Sequence, residues 1–260
     1  MSSLSGGSSR MSGDDIPPKY RLKTSYTLLA SGYVALAALV TLIISFASPY
    51  WLSSHRYTYK NFVRLGLWDF CFDHYRHPPY QYDELFNGCH WIYSSKYQNI
   101  RDWLQPGWFM FVQGMLCISL IFSVLSLALI SVTIMHFLNR YVVAVIGSAF
   151  LMQVCAAIPL FLGWLVFCIM HSDRSWLMYP MYNHLDWAFY VCILSNVLHL
   201  LAGLMLLYET FKTRQRKQKL TNLVYNMQPR QPNSDAYDST MPLKKSKSSP
   251  IERHTHFSQV

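Results

Sequence analysis

The chain has 260 residues, of which 52% are hydrophobic and only 13% charged, about half the charged share of an ordinary soluble domain. Its net charge is +9, but ten of its 22 Lys and Arg follow Tyr208, so the basicity belongs to a tail rather than to a nucleic-acid-binding face. An aromatic share of 16% excludes disorder throughout, 11 Gly exclude collagen, and six Cys are too few for a disulfide-packed miniprotein of this length.

Four stretches contain no Asp, Glu, Lys or Arg: Thr24 to His55, Leu104 to Asn139, Tyr141 to Ser172, and Trp187 to Tyr208. Each exceeds the roughly 20 residues needed to cross about 30 Å of hydrocarbon. Their apolar cores are hydrophobic on every side, as lipid-surrounded helices must be. They predict spans at about 28–50, 108–132, 142–170 and 187–208. The fold class is a membrane all-α four-helix bundle. The membrane domain covers 28–211, an N-terminal segment 1–27 precedes it, and a tail 212–260 follows. A cleaved signal peptide is the alternative for the first span, but its apolar stretch is too long and a polar leader precedes it.

Orientation follows from the basic residues near the span ends. Lys19, Arg21 and Lys23 precede the first span, Arg140 lies between the second and third, and Lys212, Arg214, Arg216, Lys217 and Lys219 follow the fourth. Both termini are therefore expected in the cytoplasm, with outer loops at 51–107 and 171–186.

The first outer loop holds Cys71 and Cys89, and the other four Cys lie in the apolar spans. An oxidising compartment makes a Cys71–Cys89 disulfide the expected state, with two free thiols as the alternative. The segment Phe62 to Phe72 partly alternates, with Trp68, Phe70 and Phe72 on one side. Cys89, Trp91 and Tyr93 are again spaced by two. Both segments read as strands of a small extracellular antiparallel sheet, with Tyr75 to Tyr82 as a protruding loop.

Trp51 follows the first span, then come Gly66-Leu67-Trp68, Cys71, Cys89 and Arg101 before the second span. This series resembles the W-GLW-C-C signature of the claudin superfamily, which includes claudins, peripheral myelin protein, epithelial membrane proteins and channel gamma subunits. The resemblance implies that Trp51 and Trp68 anchor the sheet at the membrane surface and that Arg101 contacts the anchored region. The 17 residues between the cysteines are a longer insert than claudins usually have, and the cytoplasmic flanks of spans two and four lack the paired Cys that many claudins palmitoylate. These departures point to a divergent claudin-like protein, of the kind found in invertebrate septate junctions.

The second outer loop carries Trp176, Leu177, Met178, Tyr179 and Tyr182, an apolar cluster that suits contact with another chain. Packing beneath the sheet or lying in the lipid interface is the alternative. Within the spans, Gln113, Gln153, Asn196 and His199 are expected to hydrogen-bond between helices, and the lack of intramembrane charge demotes a transporter. Pro159 is expected to bend the third span. The basic run after the fourth span can attract anionic lipid, and the polar, Pro-scattered chain beyond it reads as disordered.

The sequence ends Ser258-Gln259-Val260, a ligand pattern for a cytoplasmic PDZ scaffold, which would bury the last side chain and capture the carboxylate. The chain carries no phosphate-binding loop, metal-spaced Cys/His set or nucleophile elbow, so neither an enzyme nor a cofactor is expected. The leading expectation is a multi-pass plasma-membrane protein of cell–cell junctions, septate or tight. It would contribute to adhesion and the paracellular barrier by associating with claudin-like chains in cis and in trans. The rival expectation is an auxiliary, gamma-type subunit of an ion channel or receptor.

Overall fold

The computed structural model describes residues 25–55, 61–77, 85–135, 141–177 and 180–227. Four helices among them are long and apolar enough to cross a membrane: α1 (Tyr26–Ala47), α3 (Gly107–Ile134), α4 (Val142–Met170) and α5 (Trp187–Met227). A short helix, α2 (Arg101–Leu104), precedes α3. Helix α1 stops at Ser48, whose backbone is extended, because the following Pro49 disfavours the helical conformation in the residue before it. Helix α3 starts directly after Pro106, where a missing N–H costs no helical hydrogen bond. Helix α4 runs through Pro159. The ring removes the donor that Cys155 would otherwise receive, a loss tolerated where neighbouring helices supply donors nearby.

Five strands make one antiparallel sheet in the order β4-β3-β2-β1-β5. They are β1 (Leu52–Ser54), β2 (Phe62–Leu65), β3 (Asp69–Tyr75), β4 (Phe86–Trp91) and β5 (Asn183–Leu185). Strand β5 joins from the second inter-span loop, pairing Leu52 with Leu185 and Ser54 with Asn183. The ladder between β3 and β4 shifts register between Phe72 and Tyr75, where His74 takes a positive φ of 50°. Such a bulge turns the strand end and re-aims its side chains.

Three expectations need correction. The apparent single strand from Phe62 to Phe72 is a hairpin, because Gly66 N–H donates to Asp69 O and folds the chain back at Gly66–Trp68. The outer sheet also recruits β1 and β5, each too short to show a period. Finally, the last span's helix does not end near 208, and 212–227 is helical rather than part of a disordered tail. Lys212 to Met227 contains no Gly or Pro and is rich in Lys, Arg, Gln and Leu, so the helix continues after the apolar run ends. Hydropathy marked where the membrane-compatible segment stops, which is a different boundary from the end of the helix.

The chain divides into two compact units, Met1–Leu220 and Thr221–Val260, and the described part of the second is the end of α5. In the first unit, one apolar cluster lies at the sheet end and joins Leu42, Trp51, Leu65, Phe70, Phe109, Phe167 and Phe189. A smaller one at the opposite end is built from Leu28, Ala35, Ile130, Ile146, Ala149, Ala202 and Leu206. Its alanines let helix backbones approach closely, the usual basis of helix association where lipid offers no hydrophobic contrast.

Candidate functional site

Trp51 connects the bundle to the sheet through both its backbone and its ring. Its N–H donates to Leu65 O at 2.8 Å, and its indole Nε1 donates to Ser45 O at 2.8 Å, satisfying a carbonyl at the end of α1. The ring meets Phe167 and Phe189 edge-on, at centroid distances of 5.1 and 6.0 Å. It is fully buried. Trp51 sits inside the core that the sheet and the helix ends share, and ties the two together there.

The next three signature residues follow from the same close approach. A Cβ on Gly66 would stand 2.5 Å from Pro49 Cα and 2.6 Å from Ser48 O, so only glycine lets the β2–β3 turn lie against the end of α1. Leu67 is buried, and its carbonyl accepts a hydrogen bond from Gln113 Nε2 of α3 at 2.7 Å. Gln113 Oε1 in turn accepts from Gln105 Nε2, which also donates to the Tyr93 hydroxyl. Gln113 was expected to bond between helices; it holds the turn of the outer sheet instead. Trp68 is half-buried and packs on Phe46 of α1 at 5.2 Å.

Cys71 and Cys89 are directly opposite in the β3–β4 ladder and form a disulfide. Arg64 of β2 lies across them: Nε donates to Cys71 Sγ at 3.3 Å and a terminal nitrogen donates to Cys89 Sγ at 3.6 Å. The other terminal nitrogen donates to the Tyr50 hydroxyl, and the guanidinium stacks over the Tyr50 ring at 4.5 Å. No sequence pattern announced this arginine, because its partners come from two other strands, β3 and β4, and from the link between α1 and β1. Arg101 opens α2, and its guanidinium makes no hydrogen bond or ion pair among the described residues.

Buried aromatic hydroxyls organise the far side of the sheet. Tyr97 donates to Phe70 O at 2.9 Å, and burial, helped by nearby Asp69, pushes its pKa upward. Burial likewise pushes Tyr75 up to about 12, so it keeps its proton, and its hydroxyl shares a hydrogen bond with His77 Nδ1 at 2.7 Å. His77 packs against Trp103, and partial burial lowers its pKa below the ordinary value because the charged ring loses water.

The second loop corrects the expected contact cluster. Trp176 and Leu177 are only 3% and 2% exposed. Trp176 packs edge-on against Trp108 at 4.6 Å and donates Nε1 to Leu104 O at 3.2 Å, so both residues belong to the interior. The apolar run signalled burial because the loop lies over the helix ends. Tyr182 is 53% exposed, and its neighbour Met181, which the sequence reading passed over, is 84% exposed. Met178 and Tyr179 lie outside the described residues. Asp186 closes the loop: one carboxylate oxygen accepts from Ser53, the other from Trp187 N–H at the start of α5. A carboxylate there complements the positive end of the helix. At the loop's start, the Ser175 backbone N–H donates to Asp173 and lowers its pKa.

Inside the bundle, His199 Nδ1 meets Gln153 Oε1 at 2.7 Å, and Asn196 Nδ2 donates to Ala157 O at 2.8 Å, two turns' worth of polar contact between α4 and α5. At the end away from the sheet, Glu209 is buried, with Thr213 donating to it at 3.4 Å and Lys212 Nζ 4.0 Å away. Lys212 also reaches Ser25 and Thr27, tying the start of α1 to α5. Ser258, Gln259 and Val260 lie outside the described residues, as do Lys19, Arg21, Lys23 and Arg140.

The bundle, the five-stranded sheet and the signature residues together match one family. The model described as PMP-22/EMP/MP20/Claudin tight junction covers residues 36–208. The chain belongs to this claudin family. No individual curated protein matches it significantly. Membership and the four apolar helices make it a multi-pass membrane protein. In this claudin-family chain the apolar side chains left open at the sheet end include, among the described residues, Val63, Leu85, Trp91, Tyr93, Met181 and Tyr182.

Proposed function

We propose that this protein acts at cell–cell junctions, septate or tight, where its outer loops support adhesion and a paracellular barrier. The observation that carries the reading is the claudin-family match over the membrane domain. Open apolar side chains at the sheet end support it. Trp91 is 55% exposed on the edge strand β4, and Met181 and Tyr182 are exposed beside β5 at the other edge of the sheet; such side chains suit many weak contacts in an array, in which avidity replaces tight pairwise binding. With both termini in the cytoplasm, the final Ser258-Gln259-Val260 tethers the array to a PDZ scaffold.

The deciding experiment mixes cells that express tagged protein with cells that do not, in a line without junctions. Enrichment is expected where two expressing cells meet. A uniform surface signal, together with recovery of a channel or receptor from the same membrane, replaces the junction reading with that of an auxiliary subunit. Removing Val260 is expected to abolish recovery of a PDZ scaffold; unchanged recovery removes the tether.

A further inference from the structure

We infer that the Cys71–Cys89 bridge is an exchangeable redox site, opened by an external thiol at Cys89 and poised for that reaction by Arg64. Three observations converge. Cys89 is exposed on the edge strand β4, whereas Cys71 is buried on β3, so the two sulfurs differ in access. Arg64 places N–H donors on both sulfurs and forms no ion pair among the described residues. The guanidinium is held at the bridge by its stack on the Tyr50 ring and its hydrogen bond to the Tyr50 hydroxyl.

The chemistry is thiol–disulfide exchange. An external thiolate attacks Cys89 Sγ; a new S–S bond forms there, the Sγ–Sγ bond breaks, and its electron pair leaves on Cys71 Sγ as a thiolate. The Arg64 donors stabilise the charge that develops on that leaving sulfur, and a better stabilised leaving group departs faster. A second external thiolate then attacks the mixed disulfide and releases Cys89 as a thiolate. Two thiols are thereby oxidised to one disulfide while the bridge gains two electrons. The product loses the covalent tie between β3 and the edge strand, and with it the closed ring of residues 71–89.

The test uses the purified full chain in lipid nanodiscs, with reduced glutathione as the probe and peptide mass mapping to distinguish Cys71 and Cys89 from the four free cysteines. A glutathionyl adduct is expected on Cys89 before any on Cys71. Arg64→Gln is expected to slow bridge opening about tenfold, and Arg64→Lys by less, since the charge remains but the paired donors are lost. A first adduct on Cys71, no adduct in the folded wild-type chain, or an Arg64→Gln rate equal to or above wild type overturns the inference. The order of adducts in the wild-type chain needs no variant, so misfolding of Arg64→Gln does not shield the proposal. None of these readouts depends on junctional assembly.

Discussion

The Trp51 indole donates to the Ser45 carbonyl at 2.8 Å, so a ring from the outer segment caps the last turn of the first membrane helix. Trp51→Phe keeps most of the ring contact but removes the shorter of the two donors to Ser45 O, leaving the 3.4 Å bond from Ser48 N–H, at an expected cost of about 1 kcal/mol. Trp51→Ala also opens a cavity beside Phe167 and Phe189, at about 3–5 kcal/mol. Thermal unfolding in detergent should rank wild type above Phe above Ala. If Phe melts with wild type, the cap carries no stability.

Gly66→Ala forces its methyl against the backbone of Ser48 and Pro49, which cannot rotate aside. Loss of surface delivery is expected. Gly88→Ala serves as the comparison, because there a Cβ meets nothing closer than 3.7 Å and the strain comes from a φ of +89°. It should cost about 1 kcal/mol and still reach the surface. Equal delivery of the two variants would show that the hairpin has room to move off α1.

Gln113→Leu leaves Leu67 O and one Gln105 interaction without their partner while nearly preserving volume. A loss of about 1–3 kcal/mol is expected. Faster proteolysis of the outer sheet is the second expected readout, since α3 would no longer hold the Gly66–Trp68 turn. Unchanged proteolysis and Tm together would exclude a positioning role for Gln113.

His77 lies beside the Tyr75 hydroxyl, and partial burial favours its neutral form and lowers its folded-state pKa below the ordinary 6.5. Its contribution to stability is therefore fully present above about pH 6.5 and fades as pH falls through the lowered folded value. The test compares variants, which separates His77 from every other group. The fall in Tm from pH 7.5 to 5 should be smaller in His77→Asn than in wild type. Identical falls would assign the pH dependence elsewhere.

The exposed Met181 and the buried Trp176 separate contact from folding. Met181→Asp should leave Tm within about 1 °C of wild type, as surface changes generally do, while reducing enrichment between expressing cells. Trp176→Ala should lower Tm and total surface protein together, because Trp108 and Phe109 lose their packing partner. Full enrichment with Met181→Asp would remove this knuckle from the proposed contact.

The second loop shows why part of the site could not be read along the chain. Trp176, Leu177 and Tyr182 have similar apolar character, but only the first two lie over the helix ends. Apolar character states that a side chain prefers to leave water; it does not state whether its own fold or another chain supplies the cover. Arg64 was equally silent, since an arginine on a short strand is ordinary until Tyr50, Cys71 and Cys89 are brought around it.

The sequence by itself determined the four spans, because a membrane requires about 20 uncharged apolar residues whatever the packing. It also determined the disulfide pair, since only two cysteines lie outside those spans. The tertiary structure alone decided that β1 pairs with β5, that Trp51 is interior, and that Gln113 holds the Leu67 turn. Composition and length act on each segment separately and survive in one dimension. The β1–β5 pairing and the burial of Trp51 against Phe167 and Phe189 depend on segments more than a hundred residues apart, and those partners exist only once the bundle brings its ends together.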